Sequence, residues 1–171
     1  MANTYELIAS NTVGAGGVSS VTFSAIPNTY TDLLIKYSAR STAGGGWNDA
    51  TLTFNGSGSS SSKFLYGDST AANSSSSGSA VTLRGTNGNS TTANTFGNGE
   101  FYIPNYAGSN NKSISIDDVT ENNSGATNSA ITHLQAGLIT LTSAVTSITM
   151  TIGSGLFVQY SSFYLYGIKN S

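Results

Sequence analysis

Ala-, Leu-, Glu- and Lys-rich windows with the helical period of about 3.6 are almost absent from this sequence. Thr, Val, Ile, Tyr and Phe instead alternate with polar residues, so one side of each run is apolar and the other wet. That alternation predicts an all-β chain. Ser, Thr, Asn and Gly make up 88 of the 171 residues, which supplies turns and hydroxyl-bearing strand faces. Only 8% of the residues are charged, yet 37% hydrophobics and 10% aromatics suffice for a packed core, unlike the composition of disordered segments. At this length a single domain spanning residues 1–171 is expected.

Strands are expected at about Tyr5 to Ser10, Val18 to Phe23, Asp32 to Arg40, Ala50 to Phe54, Lys63 to Tyr66 and Val81 to Arg84. Further runs lie at Gly99 to Pro104, Lys112 to Val119, Ala130 to Leu141, Ser147 to Ile152 and Phe157 to Ile168. The Gly-rich segment from Val13 to Gly17 reads as the turn of a hairpin joining the first two. Gly56 to Ser62, Asn73 to Ser79 and Gly85 to Asn98 read as loops, the first two of low complexity. About ten strands with no helix to cover a face predict two antiparallel sheets packed face to face, a jelly-roll-like sandwich. An immunoglobulin-like sandwich, which usually has fewer strands, and a closed barrel, which would show more even spacing, stay open as alternatives.

Six Lys and Arg against eight Asp and Glu give a net charge of -2, so no basic surface is expected to attract nucleic acid or an anionic membrane. Without Cys there can be no disulfide and no thiolate ligand or nucleophile. No apolar run approaches the roughly 20 residues of a membrane-spanning helix, and the opening MANTYELIAS lacks the pattern of a secretory signal. A soluble protein made in the cytoplasm is expected.

Groups able to perform catalysis are scarce. His133, the only histidine, alternates with Thr132 and Leu134 in a strand, and no G-x-S-x-G turn offers it a nucleophile, so a structural or interface role is expected. Glu100 with Asp117 or Asp118 would make the carboxylate pair of a glycosidase only if folding set them about 5–9 Å apart. Asp117, Asp118, Glu121 and Asn122 are a compact set of oxygen ligands without EF-hand spacing, and read as a solvated turn rather than a Ca²⁺ loop. The Gly-rich segments match no phosphate-binding fingerprint, and no cofactor is expected. N-x-[ST] triplets at Asn55, Asn73, Asn89, Asn111 and Asn122 are the chance yield of an Asn- and Ser-rich chain.

Tyr occurs nine times and concentrates near the C-terminus, where Tyr160, Tyr164 and Tyr166 fall on one face of the expected last strand and Phe157, Phe163 and Leu165 on the other. Apolar residues on both faces predict burial on both sides, one against the opposing sheet and one against a loop or a neighbouring subunit. Tyr5, Tyr160, Tyr164 and Tyr166 are therefore candidate interface residues, together with Trp47. Trp47 is also the best candidate platform for stacking on a sugar ring, with Asn48, Asp49, Asn87 and Asn89 to hydrogen-bond hydroxyls.

The opening TYELIASNTVGAGGVSSVTFSAIPNTYTDLLIKYSARS and the closing SSFYLYGI resemble stretches of structural proteins of tailed bacteriophages, notably marine and cyanobacterial phages. The matching segments are Tyr5 to Ile8, Phe23 to Leu33 and Tyr164 to Ile168; the region Gly44 to Asn98 has no counterpart. The resemblance implies a non-enzymatic virion protein with a jelly-roll-like sandwich, either a capsid decoration (cement) protein or a module of tail fibres and spikes. It carries over no catalytic or ligand residue. Together with capsid symmetry it implies a homotrimer that contacts the major capsid protein or other virion proteins, with a host-surface glycan as the partner of the fibre or spike alternative. Depolymerase activity on that glycan would rest on the carboxylate pair alone.

Overall fold

The computed structural model describes residues 4–57, 60–68, 70–120 and 130–169. They form β1 (Tyr5–Thr12), β2 (Ser20–Phe23), β3 (Asp32–Arg40), β4 (Trp47–Phe54), β5 (Ser60–Asp68) and β6 (Ala72–Ser77). The remaining strands are β7 (Thr82–Asn87), β8 (Gly97–Ile103), β9 (Lys112–Thr120), β10 (Ile131–Ile139), β11 (Ile148–Ile152) and β12 (Ser162–Ile168). The described residues contain no helix.

All twelve strands belong to one hydrogen-bonded sheet, antiparallel except for a single parallel pair. The sheet branches at β3. One long limb runs β1-β12-β3-β8-β9-β10-β5-β6, and one short limb runs β2-β11-β4-β7. Among the named strands of the described residues, the parallel pairing of β3 with β7, Ala39↔Thr86 and Arg40↔Asn87, joins the two ladders. β7 also touches β8, β9 and β10, with which it shares no ladder. Inward-facing residues of both limbs belong to one buried cluster, with Ile35, Phe101, Phe163 and Leu165 from the long limb and Leu52, Phe54, Ile148 and Met150 from the short one, all essentially inaccessible. Each such burial is worth about 1.5–3 kcal/mol.

The period-2 reading of β3 holds, with Leu33, Ile35 and Tyr37 buried and Lys36 exposed. Pairing departs from expectation. The first two runs make no hairpin: β1 pairs with β12 and β2 with β11, so sequence neighbours join different limbs. The serine run expected as a loop is strand β6, because the backbone of Ser62–Gly67 offers it a complete ladder and strand pairing needs no apolar side chain. β7 extends to Asn87 and β8 starts at Gly97, which shortens the loop expected between Gly85 and Asn98. The last run is interrupted. Tyr160 has a φ of 72°, Ser161 N donates to Val158 O, and β12 begins only at Ser162. β12 buries Phe163 and Leu165 on one face, while on the other Tyr164 remains exposed, Tyr166 is half-buried and Ile168 is buried.

Candidate functional site

Alternation along β9 sends Asp118 inward with Ile114 and Ile116, and along β10 it sends His133 inward, directly across the ladder from Asp118. Both side chains are wholly buried. Asp118 Oδ2 accepts the Tyr37 hydroxyl at 3.0 Å and the Arg84 backbone N–H at 2.9 Å, while Oδ1 lies 3.1 Å from His133 Nδ1. These partners offset the cost of burying a carboxylate. Burial, reinforced by the Asp118 charge, pushes the Tyr37 hydroxyl well above its ordinary ionisation range, so it stays a donor. Two glycines make room: a Cβ on Gly85 would stand 2.7 Å from Asp118 Cβ, and one on Gly99 would stand 2.4 Å from it.

The Arg84 side chain leaves this cluster and packs over three rings, with its guanidinium carbon 4.5 Å from the centroid of Phe64, 5.1 Å from Trp47 and 5.4 Å from Tyr66. Its Nε lies 3.8 Å from Asp49 Oδ1. Burial raises the Asp49 carboxyl and the Arg84 charge opposes that rise. Arg84 on β7 thus binds β4 of its own limb through Trp47 and Asp49, and β5 of the other limb through Phe64 and Tyr66. Cation–π contacts of this kind are worth about 0.5–2 kcal/mol each, the higher value applying where they are desolvated. The chemistry available here is cohesion: a polar joint between the limbs. His133 and Asp118 resemble the orienting half of a hydrolytic triad, but the pair is inaccessible and, among the described residues, nothing hydrogen-bonds His133 Nε2.

The other sequence-derived candidates fall in separate places. Glu100 and Asp117 are cross-strand partners on the outer face of the long limb, where Glu100 pairs with Lys36 at 2.7 Å; Asp118 points the opposite way. Adjacent positions on a strand face opposite sides, so Glu100 and Asp118 do not form an acid pair and Asp117 and Asp118 do not share a cation. Glu121 and Asn122 lie outside the described residues, and among those described no group of three or more His, Asp or Glu side chains is placed to hold a metal.

The β4–β7 ladder brings Trp47 opposite Asn87 and Asn48 opposite Thr86, at the same end as Asn89. Trp47 is half-buried beneath Arg84. The Asn48 side-chain amide donates to Ser41 Oγ at 3.0 Å and the Asn87 amide to Thr95 Oγ1 at 3.0 Å, so both tie loops together; Asn89 is exposed. Arg40 organises the same end, its guanidinium donating to Thr91 Oγ1 at 2.6 Å and to the carbonyls of Thr92 at 2.9 Å and Thr95 at 3.1 Å.

Of the candidate interface tyrosines, Tyr5, Tyr164 and Tyr166 share the outer face of the long limb, where Tyr5 and Tyr166 border a shallow groove of about 350 Å³ with Leu34, Lys36 and Glu100. Tyr160 stands apart in the turn before β12 and is 69% exposed. Sequence reasoning missed Tyr37, Phe64, Tyr66 and Arg84. The usable signal was the inward parity of Asp118 and His133, which implies buried partners without naming them. No protein-family model matches the chain, and no curated protein matches its sequence.

Proposed function

We propose that this chain is a non-enzymatic structural protein of a tailed-phage virion, most specifically a decoration protein that binds the assembled head. In this reading the two limbs are the leaves of a jelly-roll-like sandwich and three copies associate. Support comes from the terminal segments that resemble phage structural proteins, and above all from the contrast between the two outer faces. The long limb exposes Tyr5, Leu7, Leu65, Leu134, Leu138 and Tyr164, six of the nine large apolar residues left exposed among the described residues. The short limb presents Thr22, Thr149 and Thr53 in one cross-strand row and Ser20, Thr151, Thr51 and Thr82 in the next. The first face suits burial against another protein and the second suits water. A protein that binds only the assembled lattice stabilises it by its binding free energy.

Immunogold labelling of intact virions tests this: label over the head is expected, and label confined to the tail overturns it. Heads lacking the protein should also release DNA at lower temperature. A second reading, a fibre or spike module that binds host polysaccharide, is favoured by the gathering of Trp47, Asn48 and Asn89 at one end. For that reading Trp47→Ala should abolish retention on the polysaccharide, and a glycan array without hits counts against it.

A further inference from the structure

The outer face of β9-β10-β5-β6 carries an apolar strip that none of the described residues covers. Cross-strand register places Asp117, Leu134, Leu65 and Ser74 in one row and Ser115, Ala136, Lys63 and Ser76 in the next, with Leu138 one row further along. Leu65 is 60% exposed, Leu134 51% and Leu138 44%, and a groove of about 710 Å³ runs along the first two rows. Lys63 and Asp117 are exposed, and neither takes part in an ion pair among the described residues. They stand diagonally across the Leu134–Leu65 pair, on β5 and β9 with β10 between them.

We propose that this strip is a two-fold contact between two copies of the chain, in which Leu65 of each copy packs on Leu134 of the other and Lys63 of each pairs with Asp117 of the other. The arrangement follows from the lattice of the sheet. With strands about 4.8 Å apart and alternate residues about 6.8 Å apart, a two-fold axis lying in the face and carrying Lys63 onto Asp117 also brings Leu65 within about 3 Å, in projection, of Leu134. One operation therefore satisfies both charges and stacks the leucines, and the opposite signs suit self-docking. Four strands of up to nine residues offer about 20 by 30 Å, or about 1,200 Å² counted over both copies, the lower bound for a specific interface. The contact is thus weak and concentration-dependent in solution, and high local concentration would favour it wherever copies are arrayed side by side. The contact covers Leu65 and Leu134 with a second copy and leaves Tyr5, Leu7 and Tyr164 of the same limb for the virion contacts proposed above, and sedimentation tests it without reference to the virion.

Sedimentation velocity of the full chain across about 1–500 µM reads it out, a range set by the affinity expected of a small interface. The mass is expected to at least double with concentration, whether the starting unit is a monomer, which stops at the pair, or a trimer, whose three copies of the face allow larger assemblies. Leu134→Asp should abolish doubling. Lys63→Asp and Asp117→Lys should each weaken it about tenfold by setting like charges opposite one another. An equimolar mixture of the two single variants should recover wild-type association, because both inter-copy pairs then have opposite signs again. Circular dichroism of the variants separates loss of contact from loss of fold, and all three substitutions lie on solvent-facing positions. No doubling at any concentration, doubling that survives Leu134→Asp in the folded protein, or failure of the mixed variants to recover association overturns the proposal.

Discussion

Two adjoining cross-strand rows on the inner face of the long limb differ: Leu165, Ile35, Phe101 and Ile116 form its apolar end, whereas Tyr37, Asp118 and His133 form a polar end where they meet through hydrogen bonds that also take in the Arg84 backbone N–H. The apolar end contributes attraction without direction, so any arrangement that excludes water there gains nearly as much. The polar end is directional. Asp118 is satisfied only when β9 sets it opposite His133 and β7 and β3 present Arg84 N–H and the Tyr37 hydroxyl. A slip of one residue in β9 would bury Asp117 or Val119 in its place and leave those donors unpaired. The apolar end drives the limbs together, and the polar end selects the register in which they meet.

The sharpest way to break this comparison is Asp118→Ala, which leaves Tyr37, His133 and the Arg84 amide buried without their acceptor. A loss of about 3–5 kcal/mol is expected in urea unfolding, against about 1.5 kcal/mol for Phe101→Leu at the apolar end. Equal costs at the two sites would remove the distinction. Gly99→Ala comes next, because its new methyl meets Asp118 Cβ, the Asp117 carbonyl and the Tyr37 hydroxyl all inside 3 Å. About 1–3 kcal/mol is expected, with a lower Tm in calorimetry.

Tyr37→Phe should cost about 1 kcal/mol at neutral pH, and its alkaline behaviour sharpens the contrast. Burial raises the native Tyr37 hydroxyl, whereas the unfolded one ionises near pH 10. The native state therefore holds a proton that the unfolded state releases, so the stability this hydroxyl provides is complete below about pH 10 and falls as pH rises further. The gap between wild type and Tyr37→Phe should narrow above that pH; a constant gap from pH 8 to 11 would rule out a buried, protonated Tyr37. The smallest effect belongs to the threonine rows outside both ends, where Thr149→Val should change stability by no more than about 0.5 kcal/mol. Thr149 does share a 2.9 Å contact with the Thr22 hydroxyl, but that pair is exposed.

Much of the strand content was legible from parity alone. Ile114, Ile116 and Asp118 fall on the buried face of β9 and Ser113, Ser115 and Asp117 on the wet one, as their alternation requires. Asn55–Gly56, both with positive φ, turns Phe54 back onto Ser57 by the two-residue chemistry such a dipeptide favours. β6 was illegible because Asn73–Ser74–Ser75–Ser76 has no apolar parity to read; only the free edge of β5 makes it a strand. Tyr160 was misplaced because a left-handed residue inside an apolar run leaves no mark in composition.

By itself the sequence determined the all-β class, most strand positions and which residues point inward in the strands that alternate, because these follow from period-2 alternation within a few neighbouring residues. Tertiary structure alone decided that β1 pairs with β12 and not β2, that β3 is the branch point, and that Arg84 reaches Phe64 and Tyr66. It also decided that Leu65 and Leu134 stand side by side on an uncovered face. Those contacts join residues 18 to 163 positions apart, and their choice rests on closing every ladder and burying every inward face at once, a condition on the whole chain that no local window contains.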